Sequence, residues 1–284
     1  VGKTGTDDGL YTINAGHNDL SNFMKISHWK GQRKLNFWTT EIANMINGTD
    51  GTMFAPFVDE KDVLYLFSSD ICRSIYATYS SRSTVQGVPT YRFEPPSEVF
   101  AAAKYNPANQ GFCTPNCLGS GVLNLTSCQP GVPAIMSQPH FYQADPKYIE
   151  GVIGLNPTAD CGTVLDIEPT TGILLKAGKK LQINMAIEPI DGFTDLTNIK
   201  PVFLPMTWLN ESAVVDTASI NQLKDQLFRP KTILNDSTVV AMIVGIVILI
   251  VTTILVVLTY KKQRSSDPEL QHLSINEQIL DNHS

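Results

Sequence analysis

The residues in this sequence with the clearest capacity for chemistry are its five cysteines, because thiols form disulfides, bind metals and act as nucleophiles. They are Cys72, Cys113, Cys117, Cys128 and Cys161. Spacing alone does not fix their connectivity. Cys113 and Cys117 can close a tight local loop, which would leave Cys72 and Cys128 for a long one. A loop of about 57 residues is worth on the order of 4 kcal/mol in the chain-entropy model. Cys161 is then free, or paired outside this set.

A metal site is the alternative use of these cysteines. Its ligands would be Cys113, Cys117, Cys128 and His140. A CxxxC motif without a second closely spaced pair of ligands is a weak zinc signature, so disulfides are favoured. His140 lies beside proline and aromatic residues and is expected to be a packed core residue, although a histidine can also titrate in an acidic organelle.

The sequence carries no recognisable catalytic constellation. Residues 118–122 read LGSGV, whereas a nucleophile elbow needs one residue between each glycine and the serine. The acidic pairs Asp7-Asp8 and Asp166 with Glu168 fall at turns or strand ends, where we expect solvated charge. There is no P-loop, dinucleotide fingerprint or HExxH motif. We therefore expect a protein that is not an enzyme and uses no cofactor, with an esterase as the remote alternative.

Among the elements that position these residues, the dominant one is the apolar segment 238–260, about 23 residues without a charge. As a helix it would be about 34 Å long, enough for a hydrocarbon layer of about 30 Å. Lys261, Lys262 and Arg264 follow it, and a basic flank marks the cytoplasmic side. We therefore expect residues 1–237 outside the cytosol, 238–260 as a transmembrane helix and 261–284 as a cytoplasmic tail.

This orientation has consequences for the rest of the chain. A segment outside the cytosol needs a signal peptide or an earlier anchor, and residues 1–13 resemble neither. We interpret the sequence as the C-terminal part of a longer membrane protein. Its cysteines lie where oxidising conditions favour disulfides. Sequons at Asn47, Asn124 and Asn210 in the same part predict N-glycosylation, whereas a fourth, at Asn235, lies too close to the span for efficient use.

Composition favours a strand-rich domain and disfavours nucleic acid as a partner. The formal net charge is -6, whereas phosphate binding needs clustered Lys and Arg. Seventeen prolines and nineteen glycines indicate many turns. Apolar runs predict strands at residues 63–67, 90–93, 163–167, 180–188 and 202–209. In the fourth of these, Leu181, Ile183, Met185 and Ile187 are expected on a buried face, with Gln182 and Asn184 on a solvated one.

Three short helices are expected as well. Ser97 should cap a helix over residues 98–105, whose AAAK run has strong helix propensity. Asp145 and Pro146 should start a helix over residues 147–152. A juxtamembrane helix from Asp216 should end at Pro230.

Read together, the motifs of this sequence resemble the class B scavenger receptor family. The resemblance runs in order along residues 1–212 and rests on short motifs, namely WKG at 29–31, NMINGTDG at 44–51, SDICRS at 69–74, GVPTYRF at 87–93, GFC at 111–113, PHF at 139–141, LDIEP at 165–169, LQIN at 181–184 and WLNE at 208–211. Residues 117–128, 135–145 and 171–184 are most similar to the lysosomal branch of that family.

The resemblance implies an α+β, β-rich ectodomain with short helices, crossed by an apolar tunnel and anchored by a transmembrane helix at each end. It implies Cys72 with Cys128 and Cys113 with Cys117 as disulfides. It also implies a receptor of lysosomes or late endosomes that binds lipids such as cholesterol and phospholipids. The lysosomal hydrolase β-glucocerebrosidase is its implied cargo, contacted through a helical apex in the part that precedes this sequence.

The sequence departs from the family pattern at three points. Cys161 stands where relatives usually have His, and Ala43 replaces a common Cys. The tail residues Glu277, Ile279 and Leu280 resemble an acidic dileucine signal with unusually close spacing, which weakens the expectation of lysosomal sorting. The alternative is therefore a plasma-membrane scavenger receptor for lipoproteins, fatty acids or anionic lipids.

Overall fold

The expected β-rich fold with a few short helices is confirmed in the computed structural model, which describes residues 7–129, 133–189 and 199–265. Two units follow one another along the chain, one up to Thr217 and the other from Ala218. The first contains all the strands of the described residues. The second is helical.

The strands of the first unit form two antiparallel sheets. β1 and β2 make a small two-stranded sheet, and the other eight strands make one large sheet in the order β3-β4-β5-β8-β9-β7-β6, with β10 on β9. The bounds are β1 (Tyr11–Ile13), β2 (Ile26–Trp29), β3 (Val63–Ser68), β4 (Arg73–Val85), β5 (Val88–Glu94), β6 (Val122–Asn124), β7 (Ala134–Ser137), β8 (Val164–Ile167), β9 (Leu174–Ile187) and β10 (Val202–Val214).

The long strand β9 holds the large sheet together. Its first half pairs with β8 and its second half with β7, so these two strands share one edge of β9. β10 pairs along the other edge from Val202 opposite Ile187 to Val214 opposite Lys176. The predicted strands at 63–67, 90–93 and 163–167 are present as β3, β5 and β8, while β9 and β10 are both longer than predicted.

The polar face of β9 is buried, contrary to prediction. Gln182 and Asn184 are 3% and 1% exposed, whereas Met185 is 43% exposed. Both amide side chains are hydrogen-bonded. Gln182 Nε2 donates to Asn184 Oδ1 at 2.8 Å, and Asn184 Nδ2 donates to Ser137 Oγ at 3.0 Å. Gln182 Oε1 also accepts from the backbone N of His140 at 2.9 Å. Buried amides are tolerated when every donor and acceptor has a partner.

The predicted helix over residues 98–105 is also wrong. Only a 3₁₀ turn, Ser97–Phe100, forms there, and Ser97 lies inside it. The amide of Asn109 donates to the carbonyl oxygens of Glu98, Val99 and Ala101. These carbonyls would have to accept the i+4 amides of an α-helix, so this side chain replaces the helical hydrogen bonds that the AAAK run favours.

The predicted helix after Asp145 is present as α1 (Pro146–Glu150). Proline at its first position needs no hydrogen-bond partner for its nitrogen. Asp145 makes no side-chain cap, and its Oδ2 accepts from the backbone N of Ser120 at 3.1 Å. The residue thereby ties the start of α1 to the loop before β6.

The described part of the second unit, up to Ser265, is one continuous helical stretch. It starts with α2 (Thr217–Leu223), passes through a π turn at Lys224–Phe228 and continues as α3 (Arg229–Ser265). The expected end at Pro230 is wrong, because the helical stretch continues through this proline, which lies directly after the π turn. α3 contains residues 238–260 and is long and apolar enough to span a membrane.

Candidate functional site

An apolar cavity of about 300 Å³ opens on the inner face of the large sheet. Its walls come from β3, the start of β4, β7, β8 and β9, with Leu66, Ile71, Ile75, Met136, Leu165 and Leu181 among them. β3 and β4 follow each other in the chain, as do β8 and β9, and the strand order of the large sheet brings these two pairs together with β7. The mostly apolar lining suits an apolar guest.

The cavity lies where two hydrophobic core clusters meet. One is built around Trp38, Phe67 and Met136, and the other around Phe93 and Leu165. Each cluster is internally packed, and the walls of the cavity take residues from both. The cavity is therefore a gap between two packed cores.

One group of charged residues lies at the edge of this cavity. Lys179 on β9 faces Glu211 on β10 across the strand pair, with Nζ 2.9 Å from Glu211 Oε2, and it also contacts Asp70 Oδ2. Burial lowers the pKa of Lys179, but the hydrogen bonds to Asp70 and Glu211 outweigh it, so the pKa lies above its usual value. Lys179 is therefore charged at neutral and acidic pH.

The wall of the cavity at Ile71 is fixed by a disulfide. Cys72 is bonded to Cys128, 56 residues later, and the carbonyl oxygen of Cys72 accepts from Trp38 Nε1 at 2.6 Å. The second disulfide joins Cys113 and Cys117. Cys161 carries a free thiol that is buried near Thr158, with Sγ 3.9 Å from Oγ1.

Asp166 and Glu168 do not carry solvated charge as expected, because both are almost completely buried. Arg92 binds both carboxylate oxygens of Asp166, at 2.8 and 2.9 Å. Glu168 accepts from the backbone nitrogens of Thr170 and Thr171 at 2.9 and 2.7 Å. These contacts hold the turn between β8 and β9, so the pair is structural. Asp7 and Asp8, in contrast, are exposed as expected.

His140 is also less buried than a core residue. It is half-buried, and its Nδ1 accepts from the backbone N of Asn156 at 3.4 Å. Within the described ranges, no three of His, Cys, Asp and Glu are grouped closely enough to hold a metal ion.

The three sequons expected to be glycosylated lie in different surroundings. Asn210, on β10, is exposed, whereas Asn47 and Asn124 are half-buried. The glycine after Asn47 is required by the fold, because a Cβ on Gly48 would lie 1.9 Å from the carbonyl oxygen of Tyr65. Glycosylation at these sites stays a prediction. The tail residues Glu277, Ile279 and Leu280 lie outside the described residues.

The resemblance implies an apolar tunnel, but the residues that line this cavity and its charged edge were not predicted from the sequence. SDICRS and LQIN were recognised as motifs, but Asp70 and Lys179, in or beside them, had no assigned role. The cross-strand pair of Lys179 with Glu211 requires the register of β10 on β9, which no local pattern gives. Lys179 also lies just before the predicted strand 180–188 and next to Lys180, so its type and position gave no signal.

Comparison with known proteins shows where this arrangement belongs. The family model described as the CD36 family matches residues 1–256. Lysosome membrane protein 2 from Homo sapiens is 44% identical over 228 residues, which is 79% of this chain and 47% of the relative. Its Mus musculus counterpart is 44% identical over 225 residues, or 78% of this chain and 46% of the relative.

Scavenger receptor class B member 1 from Cricetulus griseus is also similar, with 40% identity over 228 residues, 80% of this chain and 44% of the relative. The chain thus spans a little under half the length of these relatives. The family match covers the whole cavity, both disulfides and most of α3. The chain belongs to the CD36 family, the class B scavenger receptors, as the resemblance of its motifs predicted.

Proposed function

We propose that this chain is the C-terminal part of a membrane glycoprotein receptor that binds lipid in the cavity at the inner face of the sheet. Residues 1–237 lie outside the cytosol, residues 238–260 span the membrane and residues 261–284 form a cytoplasmic tail. The cavity is then one section of an apolar tunnel. The protein is a receptor and does no chemistry on its ligand.

The observation that carries the proposal is the cavity itself. Apolar side chains from several strands enclose about 300 Å³, and the charged side chains stand at the edge. Lipid is the ligand class that matches such walls, because burying apolar surface is its main source of affinity. The similarity to scavenger receptors supports the same proposal, a receptor that binds lipid.

Filling the cavity tests lipid binding. Ala177 lies on β9 in the cavity wall, opposite Leu165 on β8. Ala177→Leu adds three carbon atoms, which take up about 90 Å³ at about 30 Å³ each. We expect binding of a fluorescent acyl lipid to the intact protein to fall several-fold. Ala108→Leu, at an exposed position on the Pro107–Phe112 turn, is the matched control. Equal binding by the two variants contradicts the proposal.

We propose the lysosomal or late endosomal membrane as the site of action. The similarity to Lysosome membrane protein 2 supports this location. The intact protein, tagged outside the cytosol, should reside with lysosomal markers, and changing Ile279 and Leu280 to Ala should move it to the cell surface. Surface residence of both forms favours the second candidate, a plasma-membrane scavenger receptor, which the similarity to Scavenger receptor class B member 1 supports.

The proposed cargo is the lysosomal hydrolase β-glucocerebrosidase. The resemblance to the lysosomal branch places that contact in the half of the relatives that this chain does not span. The test is to express the intact protein in cells that lack their own receptor and to measure hydrolase activity in lysosomes. Hydrolase that stays outside lysosomes, while the receptor itself arrives there, contradicts the cargo proposal and leaves lipid binding untouched.

A further inference from the structure

The polar edge of the cavity is built around one lysine. The Lys179 side chain is 30% exposed, whereas those of its partners Asp70 and Glu211 are 58% and 59% exposed. Its strand neighbours on the same face, Ala177 and Leu181, line the apolar interior. The ammonium group therefore lies at the boundary between the apolar interior and solvent, where the headgroup of a lipid in the cavity would be.

This boundary carries an excess of negative charge. Two carboxylates, Asp70 and Glu211, contact a single ammonium, and Asp50 adds another carboxylate to the lining. Lys180 also belongs to the lining, but it follows Lys179 on the strand, so its side chain projects from the opposite face, and its Nζ donates to the backbone carbonyl of Asp160. A free carboxylate at this position would be an additional anion around one cation and would be repelled.

The lysine nevertheless keeps a donor for a ligand. An ammonium has three N–H groups, and among the described residues the contacts of Lys179 are with one oxygen of Asp70 and one of Glu211. The third N–H can donate to an uncharged acceptor, such as an ester or hydroxyl oxygen. Such an acceptor gains a charge-assisted hydrogen bond without adding negative charge.

The volume of the cavity limits the apolar part of the ligand. At about 300 Å³, the cavity lies at the lower end of the range of small-molecule pockets, about 300–1,000 Å³. A cavity of this size suits one acyl segment.

We propose that the cavity selects a single acyl chain with an uncharged, oxygen-bearing headgroup, and that Lys179 donates a hydrogen bond to that headgroup. The inference rests on the lipid-binding function proposed above and adds the class of lipid. Glu211 and Asp70 act as the specificity determinants, because they occupy the lysine and exclude a competing carboxylate.

The test compares two ligands with the same ten-carbon chain, 1-decanoylglycerol and decanoate. Equilibrium dialysis of radiolabelled ligand is carried out with the intact protein in amphipol at pH 7.4, where decanoate is ionised, and the Ala177→Leu protein serves as the blank. We expect 1-decanoylglycerol to bind about tenfold more tightly than decanoate. Glu211→Gln keeps the Asn210 sequon and should strengthen decanoate binding while the neutral lipid changes little.

Two lysine variants complete the test. Lys179→Met should weaken binding of 1-decanoylglycerol about fivefold, whereas Lys176→Met, on the opposite face of β9, should leave it unchanged. Decanoate binding that equals or exceeds that of the neutral lipid overturns the headgroup inference and leaves lipid binding standing. A Glu211→Gln protein that still prefers 1-decanoylglycerol over decanoate by the same factor also overturns the headgroup inference. If neither ligand binds above the blank, the proposed function falls as well.

Discussion

The buried guanidinium of Arg73 should tolerate loss of its charge better than replacement by lysine. Arg73 is 5% exposed, and no carboxylate oxygen of the described residues lies within 4 Å of it. Its Nη2 donates to the Val99 carbonyl oxygen at 3.0 Å and to Asn109 Oδ1 at 3.3 Å. The guanidinium carbon lies 3.7 Å from the centroid of the Phe112 ring. Burial lowers the pKa of Arg73 to about 9, so the charge persists at neutral pH.

The magnitudes follow from these contacts. Arg73→Met keeps the apolar stem and removes the desolvated charge. The Val99 carbonyl still accepts from Asn109 Nδ2, whereas Asn109 Oδ1 and the Ser74 carbonyl, which accepts from Arg73 Nε at 3.4 Å, each lose that donor, and we expect a loss of about 2 kcal/mol in the free energy of unfolding. Arg73→Lys keeps a more strongly hydrated charge without the planar fork or the ring stacking, and should lose about 3 to 5 kcal/mol.

Urea unfolding of the intact protein under non-reducing conditions measures both losses. Tryptophan fluorescence is a suitable signal because the ring of Trp38 packs edge-on against Phe112, with centroids 5.0 Å apart. A lysine variant as stable as the wild type, or a methionine variant less stable than the lysine variant, refutes the argument that desolvated charge dominates at this position.

Two further predictions concern the disulfides and the dependence of the free energy of unfolding on acidic pH. Loss of the Cys72–Cys128 bridge, with its separation of 56 residues, should lower the free energy of unfolding by on the order of 4 kcal/mol, and loss of Cys113–Cys117, with a separation of 4, by on the order of 2; equal losses in urea unfolding would contradict the loop-length argument. Burial raises the pKa of Asp8, but hydrogen bonds from Ser69 and Tyr11 outweigh it and hold the pKa below 3.8. A depressed carboxylate pKa contributes stability that is present above the unfolded value and lost as pH falls through the folded one. Asp8→Asn should therefore shift the urea midpoint equally at pH 7 and pH 5 and less below pH 4, and a shift that already shrinks at pH 5 argues against it.

Features that depend on local pattern were predictable from the sequence. The apolar segment 238–260 lies within α3, and proline at the start of α1 marks the beginning of that helix. The strands β3, β5 and β8 are short apolar runs bounded by turns, and each was placed within a few residues. β4 was missed because its sequence, RSIYATYSSRSTV, is rich in serine and threonine and lacks a clear apolar alternation.

Features set by distant side chains were not predictable. The AAAK run failed to form a helix because Asn109, outside the run, binds the carbonyl groups of Glu98, Val99 and Ala101, which the helix would need as acceptors. Asp166 is buried because Arg92 on β5 neutralises it across the strand pair with β8. In both cases one distant side chain outweighs the structural preference of the local sequence. The neighbouring residues do not indicate which side chain that is.

The inverted burial of β9 connects the fold to the proposed function. Period-two alternation predicts which residues share a face, and this part of the prediction holds for Gln182 with Asn184 and for Leu181 with Ile183. The alternation does not say which of the two faces is covered by other side chains. The amide face is covered because Ser137 and the backbone of β7 satisfy its hydrogen bonds, whereas the apolar face is only partly covered because it borders the cavity. In the core of a soluble protein, other side chains pack against an apolar face of a strand. β9 thus has its hydrogen bonds satisfied on one face and leaves apolar side chains partly uncovered on the other. A wall that binds lipid requires this arrangement, since the ligand then covers the apolar side chains.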